Sequence, residues 1–314
     1  MRRVFALAAV LALCLCLAGC AGGPAPEAGD GLHIVTTVFP AYDFARQIAG
    51  ERATVTLLGP PGSESHSFEP TPRDMIRIES CDLLIGNGGE SEAWLEDMLE
   101  GRDVPVLFML DCVDALEEET VEGMQKVYEA PEEDEEDGPE YDEHVWTSPM
   151  NAVRICTAIC ERLCAIDPAG ETYYRGNLEE YGAKLRELDA QFRETVQNGA
   201  RDTVIFADRF PVRYFTEEYG LKYYAAFPGC ADDAEPSAKT VAFLIDMVRR
   251  EDIPAVFYIE FSNEKMADVI AEDTGCGKLL FHSCHNVSAE ELARGVTYLE
   301  LMEANLLSLK EALG

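Results

Sequence analysis

Five histidines are the side chains of this chain best suited to hold a transition metal at neutral pH: His33, His66, His144, His282 and His285. A neutral imidazole offers one nitrogen lone pair, which borderline cations such as zinc accept, usually with carboxylate oxygens completing the shell. His33 opens an apolar run and reads as structural. His66 sits just beyond the Gly59-Pro60-Pro61-Gly62 turn, and His144 closes an acidic stretch immediately before Val145-Trp146. His282 follows an apolar run over 278–281, with His285 three residues later. Taken singly, a histidine is more often a hydrogen-bonded or surface residue than a ligand. Here the positions share a context: strand ends and loop mouths, where α/β proteins present binding groups.

The same side chains could serve a zinc hydrolase, which needs an open coordination position and a neighbouring base. The sequence has no His-Glu-x-x-His helix, no Gly-x-Ser-x-Gly elbow and no phosphate-cradling glycine loop. Capture without turnover, in a protein that is not an enzyme, is the expectation.

The elements that must position these residues alternate between short apolar runs and amphipathic segments. Strands are predicted over 33–39, 53–58, 83–85 and 106–109, with helices over 41–50 and 71–79 between them. A second series follows, with strands over 203–206, 223–227, 255–259 and 278–281 and helices over 214–219, 241–250 and 265–274. Between the series, Tyr174, Leu178, Tyr181, Leu185, Leu188 and Phe192 recur at three- and four-residue steps, which predicts one long helix over 171–198. The fold class read from this is α/β: two βα lobes, each with a mainly parallel sheet, joined by a long linker helix, with the ligand site in the inter-lobe cleft. The expected boundaries are an N-terminal lobe over 32–168, a linker helix over 169–200 and a C-terminal lobe over 201–314.

Charge and the N-terminus bound the setting. Twenty-five Lys and Arg against 59 Asp and Glu leave a formal net charge of -34, which repels nucleic acid and so excludes it as a partner. The segment over 117–143 concentrates this charge and reads as a solvated surface loop, or as a weak cation collector beside a tighter site. Met1-Arg2-Arg3, an apolar stretch to Leu17 and Leu17-Ala18-Gly19-Cys20 have the layout of an export signal over 1–19 ending in a lipobox, with Cys20 lipidated and a flexible tether over 20–31. Cys81, Cys112, Cys156, Cys160, Cys164, Cys230, Cys276 and Cys284 remain beyond that segment; Cys156, Cys160 and Cys164 share one helix face and read as small buried residues rather than disulfide partners.

Several stretches carry a family likeness: Phe39-Pro-Ala-Tyr-Asp-Phe-Ala45, Pro60-Pro-Gly-Ser-Glu-Ser-His-Ser-Phe-Glu-Pro-Thr-Pro72, Asp142-Glu-His-Val-Trp-Thr-Ser-Pro149, 214–221 and 267–275. With them the chain resembles, from about residue 32 onward, the substrate-binding lipoproteins of bacterial zinc and manganese ABC importers, the cluster A-I metal receptors. The resemblance implies a first ligand at His66 and a second at His144. A third, His or Glu in the family, falls near Arg209, which cannot ligate a cation; Asp208 is the adjacent alternative, and it reads equally as an ion-pair partner of Arg209 or a turn cap. The fourth, usually a carboxylate, falls at His282, with His285 as competitor. Glu260 is a further ligand or supporting acceptor.

Three imidazoles with one carboxylate favour Zn2+, and two carboxylates would favour Mn2+. The resemblance further implies an extracytoplasmic monomer, held to the cell membrane by its lipid, that delivers metal to an ABC permease and its ATPase. A surface adhesin is a further alternative, although nothing in the sequence specifies a host ligand.

Overall fold

The structure is a computed structural model that describes residues 31–62, 68–125, 140–229 and 236–314. The export signal, Cys20, the tether up to Asp30, His66, Cys230 and the centre of the acidic stretch lie outside the described residues. Residues Leu32–Gly314 form one compact unit.

The first lobe runs β1 (Leu32–Thr36), α1 (Phe39–Ala49), β2 (Ala53–Leu57), α2 (Pro72–Glu79), β3 (Leu83–Gly86), α3 (Ala93–Leu99) and β4 (Val106–Phe108). After α4 (Pro149–Ile166), α5 (Glu171–Asn198) leads into the second lobe. That lobe runs β5 (Thr203–Phe210), α6 (Arg213–Tyr219), β6 (Lys222–Pro228), α7 (Ala238–Arg250), β7 (Ala255–Tyr258), α8 (Lys265–Thr274) and β8 (Gly277–Leu280), then α9 (Ala289–Arg294) and α10 (Tyr298–Leu313). The strands order as β2-β1-β3-β4 and β6-β5-β7-β8, and every pairing is parallel. Each sheet therefore reverses its winding once, between β1 and β3 and between β5 and β7. At such a switch point the carboxyl ends of the two strands open a crevice.

The strand sequences explain why both sheet faces are covered. Side chains alternate across a sheet, and both alternating sets are apolar here. Ile34, Leu83 and Ile85 enter one core while Val35 and Leu84 enter another. In the second sheet Val204, Phe206 and Phe257 join the first core, and Ile205 and Val256 pack on the opposite face. The shared core also takes Trp146, Phe192 and Tyr298, so one apolar body is common to both lobes.

The predicted long helix is α5, of 28 residues, about 42 Å at 1.5 Å per residue. Tyr174, Tyr181, Leu185, Leu188 and Phe192 are its buried face, and it packs against α1, α4, α6 and α10. Local chemistry sets the shorter helices. Thr71 caps α2 reciprocally with Asp74, with Pro72 in its first turn, and Ser148 caps α4. Cys156 and Cys160 are buried in α4, and the seven described cysteines are free thiols. Among the described residues no helix is long and apolar enough to cross a membrane.

Candidate metal site

His144 belongs to a short turn between the acidic stretch and α4, and it is 1% exposed. The preceding backbone is fixed by a bridge between Glu117 and Tyr141, and by Tyr214 of α6, whose hydroxyl donates to the Asp142 carbonyl at 2.8 Å. Asp142 Oδ1 then accepts the His144 backbone N–H at 2.8 Å and lies 3.2 Å from ring Nδ1. Burial by itself would lower the His144 pKa, but the Asp142 charge and hydrogen bond, with Glu143 and Glu118, outweigh it and hold the pKa above the ordinary histidine value. The carboxylate at Nδ1 favours the tautomer with its proton there, which leaves the lone pair on Nε2. The C-terminal lobe comes very close: a Cβ on Gly229 would stand 3.1 Å from Cε1 and 3.2 Å from Nδ1 of His144, so only a glycine fits there without a shift.

His285 arrives from the other lobe. Beyond β8 the chain makes a tight turn over His282, Ser283, Cys284 and His285, with Cys284 in the left-handed region at φ 63°. Asn305 of α10 clamps the turn's start, accepting from His282 N at 2.7 Å and donating to the His282 carbonyl at 2.8 Å. Glu260, just past β7, accepts from the Ser283 backbone N–H at 2.7 Å and from the Ser283 hydroxyl. Trp146 Nε1 donates to the Ser283 carbonyl at 2.8 Å, and Phe39 N donates to the His285 carbonyl at 3.2 Å.

The turn therefore sends its two imidazoles to different places. The His285 ring lies 5.5 Å from the His144 ring, centroid to centroid and perpendicular to it, and 5.1 Å from Trp146. His282 is 5% exposed, and its Nδ1 accepts the Cys284 N–H at 2.9 Å. Glu260 approaches that same nitrogen at 3.6 Å.

The structure thus pairs His144 with His285. It places His282 and Glu260 behind them, in the scaffold of the turn. Asp208 sits at a bulge where the β5 register shifts between Phe206 and Arg209. Its carboxylate accepts from Arg209 N at 2.8 Å and Ile259 N at 3.5 Å rather than from either histidine. Burial holds the Asp208 carboxyl above its usual range, despite the Ser262 hydroxyl, the Arg209 N–H and the Arg209 charge. His66 lies outside the described residues, and only its flanks are placed. Gly62 stands beside Ser288 and Phe261, and Phe68 lines a cavity together with His285 and packs against Trp94. Among the described residues no group of three or more His, Cys, Asp or Glu side chains is assembled for a metal ion.

Two carboxylates shape the first-lobe wall. Glu92 Oε2 accepts from Asn87 N at 2.7 Å and Gly88 N at 2.9 Å, and Glu143 accepts from Ser91 N at 2.9 Å and from the Ser91 hydroxyl. Burial pushes the Glu92 carboxyl up to about 7, tempered by the nearby Thr37 hydroxyl and the two backbone N–H groups. Reading the sequence alone missed Asp142, Trp146, Gly229 and Asn305. The acidic neighbour two residues before His144 was the one visible signal among them.

Two parallel-sheet lobes, a shared helix and an imidazole pair at the lobe junction define the class: a two-lobed solute-binding protein. Residues 34–312 match the family described as ZnuA, zinc-uptake complex component A, periplasmic, and the chain belongs to that family. It is 31% identical over 315 residues to the high-affinity zinc uptake system protein ZnuA of Bacillus subtilis, covering 97% of this chain and 96% of that protein. Among solved structures, the metal-dependent lipoprotein YcdH of B. subtilis superposes with a TM-score of 0.75 at 29% identity, covering 90% of this chain and all of that one. The Zn(II)-bound ZnuA-like domain of Streptococcus pneumoniae AdcA gives 0.74 at 26% identity, over 90% of this chain and 99% of that domain. This chain spans 56% of the whole AdcA lipoprotein. Manganese-bound relatives share the fold.

Proposed function

We propose that this chain captures Zn2+ at the lobe junction through His66, His144 and His285, and hands it to the permease and ATPase of an ABC importer. It works outside the cytoplasm as a monomer held to the membrane by a lipid on Cys20. The observation that carries the proposal is the spacing of the His144 and His285 rings, 5.5 Å between centroids. With zinc–nitrogen bonds of about 2.0–2.1 Å and a tetrahedral angle, two imidazoles on one zinc have ring centroids about 5 Å apart. The pair already stands at nearly that separation, one ring from each lobe. His66 supplies the third nitrogen, and water or the Asp208 carboxylate completes the shell. Nitrogen donors in the majority favour Zn2+ over Mn2+. Capture is the whole of the chemistry in this reading, with no bond made or broken in a substrate.

The test is zinc stoichiometry and affinity for the parent, His285→Ala and His282→Ala. One tightly held zinc in the parent, weakened more than about 100-fold in His285→Ala, is the expected result, since losing a ligand exceeds the 10–100-fold typical of losing a supporting residue. His282→Ala should show a milder affinity loss with reduced stability. The reverse ranking would move the ligand to His282 and overturn the assignment, and a stoichiometric preference for manganese would overturn the choice of cargo.

A further inference from the structure

We infer that the turn following β3 forms a second cation site, for a hard, oxygen-preferring divalent ion of the calcium type, in the cavity beside His285. The donors are Thr37, Asn87 and Glu92, none of which belongs to the zinc shell proposed above. Asn87 is 2% exposed and its Oδ1 has no hydrogen-bond partner. The other end of the same amide is fully used, with Nδ2 donating to the carbonyls of Glu143 at 2.9 Å and Gly88 at 3.3 Å, so the amide's orientation is fixed. The buried Thr37 Oγ1 has no well-formed hydrogen bond, and its one polar neighbour in the cavity is the Glu92 carboxylate, whose pKa it lowers. Folded proteins seldom leave buried acceptors in this condition, and both residues line one cavity with Glu92.

Charge points the same way. Glu92 and Glu143 are 6% and 4% exposed and grip the same turn, and the bonds they accept come from N–H and O–H groups of that turn. No Lys or Arg lines the cavity. Buried carboxylates ordinarily have a cationic or metal partner. Amide, hydroxyl and carboxylate oxygens suit Ca2+, whose coordination is flexible at about 2.3–2.6 Å, better than zinc, which prefers nitrogen and sulfur. Mg2+ demands near-octahedral geometry and retains its water, so it fits such an irregular set less well.

The experiment is thermal unfolding of the purified protein carrying His144→Ala and His285→Ala, with and without millimolar calcium chloride at ionic strength matched with potassium chloride. Calcium at about ten times its Kd should raise Tm by roughly 3 °C. Two further changes, each added to that background, locate the effect. Glu92→Gln keeps an acceptor for the Asn87 and Gly88 N–H groups while removing the charge. Thr37→Val removes an oxygen whose one polar neighbour in the cavity is Glu92, at nearly constant side-chain volume. Both should fold as the background does, with most of the calcium shift gone. No shift with calcium, or with manganese in its place, would overturn the inference and leave a cavity that holds water alone. A shift that survives both changes would also overturn it, by moving the effect to the acidic surface. Zinc titration of the unaltered protein, run in parallel, reports on the zinc proposal separately, so either can fail without the other.

Discussion

Trp146 Nε1 donates to the Ser283 carbonyl at 2.8 Å, joining residues 137 positions apart across the lobe junction. Trp146 rides on the turn that carries His144, and Ser283 on the turn that carries His285. The bond therefore sets the separation of the two imidazoles before any metal arrives. A site ordered in advance keeps more of its binding energy, because less ordering remains to be done on binding.

Trp146→Phe keeps much of the ring and removes this donor, leaving a buried carbonyl unpaired. We expect a stability loss of about 1–3 kcal/mol in urea unfolding. Zinc affinity should fall about tenfold, the lower end of what losing a supporting residue does. A stability loss without an affinity change would show that the bond does not place His285.

Gly229→Ala tests the close approach of the C-terminal lobe to His144. The added Cβ would stand 2.9 Å from the Phe210 carbonyl oxygen as well as against the His144 ring. Overpacking of this kind costs about 1–3 kcal/mol. Here it should also weaken zinc binding, because the ring is the easier of the two neighbours to displace. Calorimetric titration of the variant shows whether it is displaced.

Asp43 is buried in α1 and joins three helices. Its Oδ2 accepts from Tyr298 N at 2.9 Å and from the Tyr181 hydroxyl at 3.5 Å, and its Oδ1 accepts from Gln47 Nε2 at 3.2 Å. Burial raises its pKa, although those hydrogen bonds oppose the rise. Asp43→Ala leaves the Tyr298 N–H at the start of α10 without its acceptor, and should lower stability by about 2–4 kcal/mol. Asp43→Asn, which keeps an oxygen acceptor without the charge, should lose less. Equal losses in urea denaturation would mean that the charge, not the acceptor, is what the fold needs.

Glu92 gives the apo protein a measurable pH dependence. Its carboxyl is raised from the ordinary value of 4.5 to about 7. Between those values the folded state holds the proton more tightly than the unfolded state, so the residue's contribution to stability falls as pH rises through the window and stays low above it. Relative to Glu92→Gln, the parent should lose up to about 3 kcal/mol from pH 4.5 to pH 8. Metal-free denaturation of both proteins across that range measures the difference, and parallel curves would contradict it.

The alternation of βα units was legible because most strands are short apolar runs with Gly or Pro at one end, and the long helix because its buried residues keep one face from Tyr174 to Phe192. Strand limits were less legible. The strand expected over 203–206 continues to Phe210 through a bulge, which puts Asp208 and Arg209 inside it. Periodicity fails at a bulge because the extra residue breaks the alternation that marks a strand. The choice between His282 and His285 was not legible at all. It depends on a left-handed Cys284 and on clamps from Asn305 and Glu260, which come from α10 and the end of β7. His144 was found through its place at a loop mouth, but the Asp142 contact that fixes its tautomer follows from the backbone path.

The bond from Tyr298 N to Asp43 spans 255 positions, and the Tyr298 hydroxyl reaches back to the Trp146 carbonyl at 2.7 Å. For a chain that emerges N-terminus first, from a ribosome or a translocation channel, the first lobe is therefore waiting for α10, the last of the described helices. Until Tyr298 appears, Asp43 and the apolar face of α1 have no cover from that side, and the nascent protein depends on whatever holds it open and unaggregated. Contacts this distant in sequence also slow the search for the native state. Completion of folding thus serves as a checkpoint on synthesis, since a chain truncated before α10 lacks both Tyr298 and the Asn305 clamp on the His282–His285 turn.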